Sequence, residues 1–177
     1  MTKSVTAPLV LCDPADSVVD ALDVVLGGPV SGEARCEYYR TVCHLPADLD
    51  PANGQITLRA GRVQAVMMPS ALGERVRVEL GRLDSGGGPI VSHPRTDSWT
   101  FLTSHSSELD LFTDGRRLWL ARVVVLTDGP VIGLPSPSAA NPDAHREWVL
   151  PPHSPLRPST AVVLDAARAC VKAGERR

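Results

Sequence analysis

Residues Gly61–Leu83, GRVQAVMMPSALGERVRVELGRL, constrain the fold more than any other stretch of the chain. Val63, Ala65 and Met67 alternate with Gln64, Val66 and Met68, so both faces of an extended segment are largely apolar. That is the pattern of a central strand covered on both sides, with Val66 and Met67 buried. Pro69 lacks a backbone donor and ends the strand. Ser70 is placed to cap a following helix, its hydroxyl accepting from the free amides of the first turn. Leu72, Val76, Leu80 and Leu83 then recur at helical spacing and form one apolar stripe. Gly73 and Gly81 each cost such a helix about 1 kcal/mol relative to alanine. Close backbone packing at those two points would offset the loss.

The rest of the chain reads as strands in hairpins with helices at both ends. Asp16 to Leu26 carries Val18, Val19, Leu22, Val25 and Leu26 on one helical stripe, and Gly27-Gly28-Pro29 stops it. Residues 1–32 are therefore expected to be an extension, and 33–177 a single domain. Glu33 to Leu45 predicts a second helix with Cys36, Tyr39, Val42 and Cys43 inward. Pro46, Pro51 and Asn53-Gly54 mark a loop and turn. Ile56 and Leu58 open a short strand, which Arg59-Ala60-Gly61-Arg62 turns into the central strand as a hairpin. Ser85-Gly86-Gly87-Gly88-Pro89 is a break without the lysine and Ser/Thr of a phosphate loop.

Ile90-Val91 and Ser98 to Thr103 predict two strands, with Trp99 and Phe101 sharing a face. Leu109 to Phe112 predicts one helical turn. Leu118 to Leu126, LWLARVVVL, carries the strongest strand signal. Asp128-Gly129-Pro130 turns the chain into Val131 to Leu134, and Glu147 to Leu150 gives the last strand. Thr160 to Ala173 predicts a closing helix with Val163, Ala167, Cys170 and Val171 inward. Hairpins outnumber strand–helix–strand units, so the expected class is α+β, a mostly antiparallel central sheet with flanking helices.

Charge and cysteine content narrow the function classes. With 43% apolar residues the chain can build a core, and with a net charge of −2 it has no global basic field for nucleic acid. All the basic residues except Lys3 and Lys172 are arginine, a composition that fits a high-GC bacterial genome. Cys12, Cys36, Cys43 and Cys170 form no CxxC pair; buried reduced thiols are expected rather than a zinc site. The start, MTKSVTAPLVLCD, has an apolar run too short for a secretion signal, and no segment approaches the roughly 20 apolar residues that span a bilayer. A cytoplasmic protein is expected, with no cofactor motif and no metal-ligand pattern.

Three pieces in order carry a family resemblance: GRVQAVMMPSALGERV, GPIVSHPRTDSWTFLT (residues 88–103), and DGPVIGLPSPS followed by REWVLPP (residues 128–152). Together they resemble the primase–polymerase domains of the archaeo-eukaryotic primase superfamily, over roughly Gly54 to Pro158. Short actinobacterial members described as bifunctional DNA primase/polymerase are the most similar. The resemblance implies two carboxylates on the first strand, a histidine on the hairpin and a third carboxylate on a later strand. Those acids would hold the divalent metal of phosphoryl transfer, since hard cations take oxygen ligands.

Here the first strand ends Val66-Met67-Met68, the hairpin strand reads Ser98-Trp99-Thr100-Phe101, and the third acid falls near Val124. Without metal ligands the charge developing on a transferred phosphoryl group has no counterweight. The expectation is a non-catalytic primase-like binding or regulatory module, contacting single-stranded nucleic acid or a replication or transcription protein. Arg95, Arg116 and Arg117, near Trp99 and Trp119 as stacking surface, are the candidate nucleic-acid residues, with Trp99 read as core first and stacking surface second. One alternative is a metal-dependent nucleotidyl transferase with a rearranged site at Asp110, Asp114 and Asp128. Another is a plain protein-interaction module using the N-terminal helix and the proline-rich tail. His93 and His105 with Ser92, Ser104 and Ser106 lack the elbow of a serine hydrolase and are expected to be loop residues.

Overall fold

The computed structural model of the chain describes residues 30–83, 86–106, 109, 113–137 and 145–174. The predicted 16–26 helix, Cys12, Asp110 and most of the 109–112 turn lie outside the described residues. The elements are α1 (Gly32–Thr41), β1 (Ala47–Leu49), β2 (Ile56–Arg59), β3 (Val63–Pro69), α2 (Ser70–Arg82), β4 (Ile90–His93), β5 (Ser98–Ser104), α3 (Gly115–Leu120), β6 (Val124–Leu126), β7 (Val131–Leu134), β8 (Glu147–Leu150) and α4 (Thr160–Gly174). Five strands form one sheet in the order β6-β3-β5-β4-β8, and three form another in the order β1-β2-β7. Every pairing between these strands is antiparallel. The fold is α+β, as the sequence predicts.

The large sheet separates two cores. Val66 and Met68 of β3 and Phe101 of β5 pack with Leu72, Val76 and Leu80 of α2 and with Val163, Leu164 and Ala167 of α4. On the opposite face Val63, Ala65, Val91 and Leu102 pack with Cys36, Tyr39 and Cys43 of α1 and with Ile56, Leu58, Ile132 and Leu134 of the small sheet. That second core has a polar key. Trp148 Nε1 donates to the Tyr39 hydroxyl at 2.9 Å, and that hydroxyl donates to the Pro135 carbonyl at 3.0 Å, so both buried polar groups are satisfied.

β3 is central, as its two-sided apolar pattern requires. It pairs with β5 along its whole length, Val63↔Ser104 to Pro69↔Ser98, and with β6 from Ala65↔Leu126 to Met67↔Val124. The buried Gln64 is fully engaged: its Nε2 meets His105 Nδ1 at 3.0 Å, and its Oε1 accepts from Thr160 Oγ1 at 2.6 Å and from the Ser106 amide at 3.3 Å. The strand is thereby tied to the start of α4.

Several expectations need correction. Pro69, not Ser70, occupies the cap position of α2, and Ser70 turns its hydroxyl and its amide to Asp97 instead. Leu83 is 54% exposed, because α2 ends at Arg82 before the stripe reaches it. Val42 is exposed for the same reason, α1 having ended at Thr41. Met67 is only half-buried, since it sits at the open end of β3. β2 and β3 are not a hairpin: the chain crosses from one sheet to the other at Ala60–Arg62, and so does the β6–β7 turn. β1 lies in the stretch expected to be loop.

The largest departure is LWLARVVVL, where only Val124–Leu126 is strand. Leu118 to Leu120 close α3, with Leu118 buried, and Arg122, at φ 58, turns the chain out of it. An apolar run of this length cannot distinguish a buried strand from a helical turn packed on one side. No helix among the described residues is long and apolar enough to cross a membrane.

The two glycines of α2 have opposite surroundings. A Cβ at Gly73 would lie 2.9 Å from Trp99 Cε3, whereas one at Gly81 would meet nothing within 4 Å. Gly73→Ala should therefore lower stability by roughly 1 kcal/mol despite the better helix former, since overpacking exceeds the propensity gain. Gly81→Ala should raise it by up to about 1 kcal/mol. Urea unfolding of the two variants checks both signs.

Candidate functional site

β3 ends at Pro69 opposite the start of β5, two residues beyond Met67 where its pairing with β6 stops, and this geometry opens a groove. Met67 is the pivot: its register partners are Thr100 on β5 and Val124 on β6. The three stretches the sequence singled out by their missing acids and histidine, 66–68, 98–101 and around 124, thus lie side by side on adjacent strands. The groove measures about 560 Å³. Met67, Met68 and Pro69 form its floor, Thr96 and Ser98 one wall, and Trp119 to Val124 the other. Trp119 is 75% exposed and Leu120 61%, an unusual apolar rim for a chain with so few aromatics.

The local structure explains the rim. The short α3 buries Leu118 against the α2/α4 core, and helical geometry then turns its successors Trp119 and Leu120 outward. The Ala121 amide bonds the Arg117 carbonyl and the Val123 amide bonds the Leu118 carbonyl, closing the turn. Arg122, left-handed and exposed, sits at the mouth.

The candidate residues separate. Arg95 is exposed on the 3-10 turn Pro94–Thr96, beside the groove wall. Arg116 and Arg117 are exposed on α3; Arg117 Nη1 contacts Asp114 Oδ1 at 2.9 Å. Trp99 lies on the other face of the sheet, half-buried against Gly73 of α2, away from this groove. Trp119, the other tryptophan of the expected patch, is exposed at the groove.

Of the three acids of the rearranged-site alternative, Asp110 lies outside the described residues and the other two stand as follows. Asp114 is held by Arg117 and by Lys172 Nζ at 2.6 Å, and the Lys172 hydrogen bond, foremost, keeps its carboxyl below the usual range. Asp128 is an exposed turn residue beside Gly61. Among the described residues no three His, Cys, Asp or Glu side chains gather as metal ligands. Cys36 and Cys43 are buried free thiols, with Cys43 pushed up to about 11 by burial, and Cys170 is half-buried. His93 and His105 serve different partners, Thr100 and Gln64, and form no triad.

Comparison of the chain with protein-family models, with curated proteins and with solved structures finds no match.

His93 is a titrating group on the site's flank. Its Nε2 lies 2.8 Å from Thr100 Oγ1, on the strand face that carries Met67. Burial first, and the charge of Arg146 second, lower its pKa from 6.5 to about 4. Between those values the unfolded chain binds a proton that the folded chain does not. Stability is therefore complete above about pH 6.5 and lost as pH falls towards 4. Melting curves from pH 7 down to 4.5 should show a smaller fall for His93→Gln than for the parent. Equal falls would mean that the imidazole is not held neutral.

Proposed function

We propose that this chain is a non-catalytic primase–polymerase-like domain that acts as a binding or regulatory module. Its ligand on this reading is a single nucleic-acid strand, taken up at the groove beyond β3. The observation that carries the reading is the register of Met67 with Thr100 and Val124. The positions where the resemblance implies metal ligands meet on three adjacent strands, and they carry a thioether, a hydroxyl and an isopropyl group. None of these offers a charged oxygen to a hard cation. What remains is an apolar floor, an exposed indole and arginines on both rims.

That combination fits a single strand. A base stacked on Trp119 has a π-face whatever its identity, and such stacking is worth about 1–3 kcal/mol. Arg95, Arg116 and Arg122 are exposed and near enough in the chain to the groove walls to meet phosphates. With no global positive field the binding is expected to be weak and strongly dependent on salt. An interaction with a protein through Trp119 and Leu120 is the competing use of the same surface.

Fluorescence titration with oligothymidylate at low salt tests the reading. Binding should quench tryptophan emission, and Trp119→Ala should weaken it by roughly tenfold, about one stacked base. The melt should stay unchanged, because the side chain is exposed. Arg116→Ala with Arg117→Ala should flatten the salt dependence. Primer synthesis or extension with any divalent metal would overturn the non-catalytic reading. Absence of binding at low salt would leave the protein-partner use of the groove.

A further inference from the structure

A second concavity lies at the opposite end of β3, and its lining is cationic. Arg40 and His44 come from the end of α1 and the residues after it, Asp48 from β1, Arg62 from just before β3, and Arg157 from the proline-rich crossing. The cleft measures about 580 Å³. Three guanidinium groups face one carboxylate, an excess of positive charge in a chain whose net charge is −2. The groove between α2 and α4 is balanced by comparison, Arg75 and Arg82 standing among Glu74 and Glu79.

The cations differ in how far they are committed. Arg40 gives Nε to the Ala47 carbonyl at 2.6 Å and Nη2 to Asp48 at 3.2 Å, so these two charges offset each other. Arg157 donates Nη1 to the Cys43 carbonyl at 2.9 Å and Nη2 to the His44 carbonyl at 3.5 Å, which ties it to the turn after α1. Its Nε is buried with no acceptor. Arg62 is exposed, and no hydrogen bond or ion pair engages it among the described residues. His44 stands at φ 49, a left-handed conformation after a helix end where glycine is the relaxed choice. Its imidazole is held at the cleft at a backbone cost.

We propose that this cleft binds a phosphate dianion, carried either by a small phosphorylated molecule or by the phosphorylated end of a strand. Guanidinium forks match phosphate oxygens in pairs, and the exposed Arg62 supplies donors that nothing among the described residues uses. The volume exceeds a bare phosphate and leaves room for what bears it. Burial pushes the Arg157 pKa down, as expected of a cation short of a counter-charge. The site is separate from the groove at the other end of β3 and stands or falls without it.

Calorimetry and thermal melts with inorganic pyrophosphate at low ionic strength test this. Pyrophosphate should bind and raise the melting temperature. Arg62→Ala should weaken it by roughly tenfold or more, the loss of one charge-assisted hydrogen bond. His44→Gly should raise the melting temperature of the unliganded protein while weakening pyrophosphate, because strain relief and ligand contact are then separated. Arg116→Ala with Arg122→Ala should leave the affinity unchanged. Competition by a 5′-phosphorylated oligothymidylate but not by its 5′-hydroxyl form would identify a strand end as the source; competition by neither would identify a small molecule. No pyrophosphate binding at low salt, or an unchanged affinity in Arg62→Ala, would overturn the proposal.

Discussion

The structure depends on a seven-residue strand that is paired on both edges and covered on both faces. β3 supplies Val63 and Ala65 to one core and Val66 and Met68 to the other. A one-residue slip would exchange these sets and carry the Gln64 carboxamide away from Thr160 and His105. Register is therefore fixed by two cores and one satisfied polar network at once. Whatever lies at the ends of β3 inherits that rigidity, which is what a binding site requires of its support.

The two ends are chemically unlike. At Pro69 the strand runs out among methionines, a threonine and an exposed tryptophan, with arginines at the margin. At Val63 it begins among guanidinium groups that outnumber the local carboxylates. Seven residues of strand separate them by roughly 20 Å. A groove rimmed by an exposed indole and a cationic cleft on one rigid strand would be complementary for a nucleotide, which carries both a π-face and an anion. The weak overall charge is no obstacle, because a local excess of arginine determines the field at a cleft.

Much of this frame is legible in the amino-acid order. Val63 to Arg82 is read as strand, proline stop and helix because the period changes from two-sided apolar to 3.6 at Pro69, and both signals are strong. The β4–β5 hairpin and the closing helix are read for similar reasons. LWLARVVVL is not, because an apolar run satisfies either conformation until Leu118 finds its core. The β2–β3 hairpin is not either: adjacency favours pairing, whereas the two strands serve different sheets facing a shared core.

The site is legible in part for the same physical reason. Met67, Thr100 and Val124 are individually unremarkable, and only strand register brings them together. Arg62, His44 and Arg157 meet through the proline-rich crossing, which no local pattern foretells.

The central claim is that the end of β3 receives a ligand and not a metal ion. Carbon-13 methyl spectra test it directly, because the chain has only three methionines and two of them, Met67 and Met68, floor the groove. Titration with Mn²⁺ and then with oligothymidylate should leave the Met67 and Met68 methyl signals sharp on addition of metal and shift them on addition of the strand. Paramagnetic broadening of those two signals at substoichiometric Mn²⁺ would contradict the account.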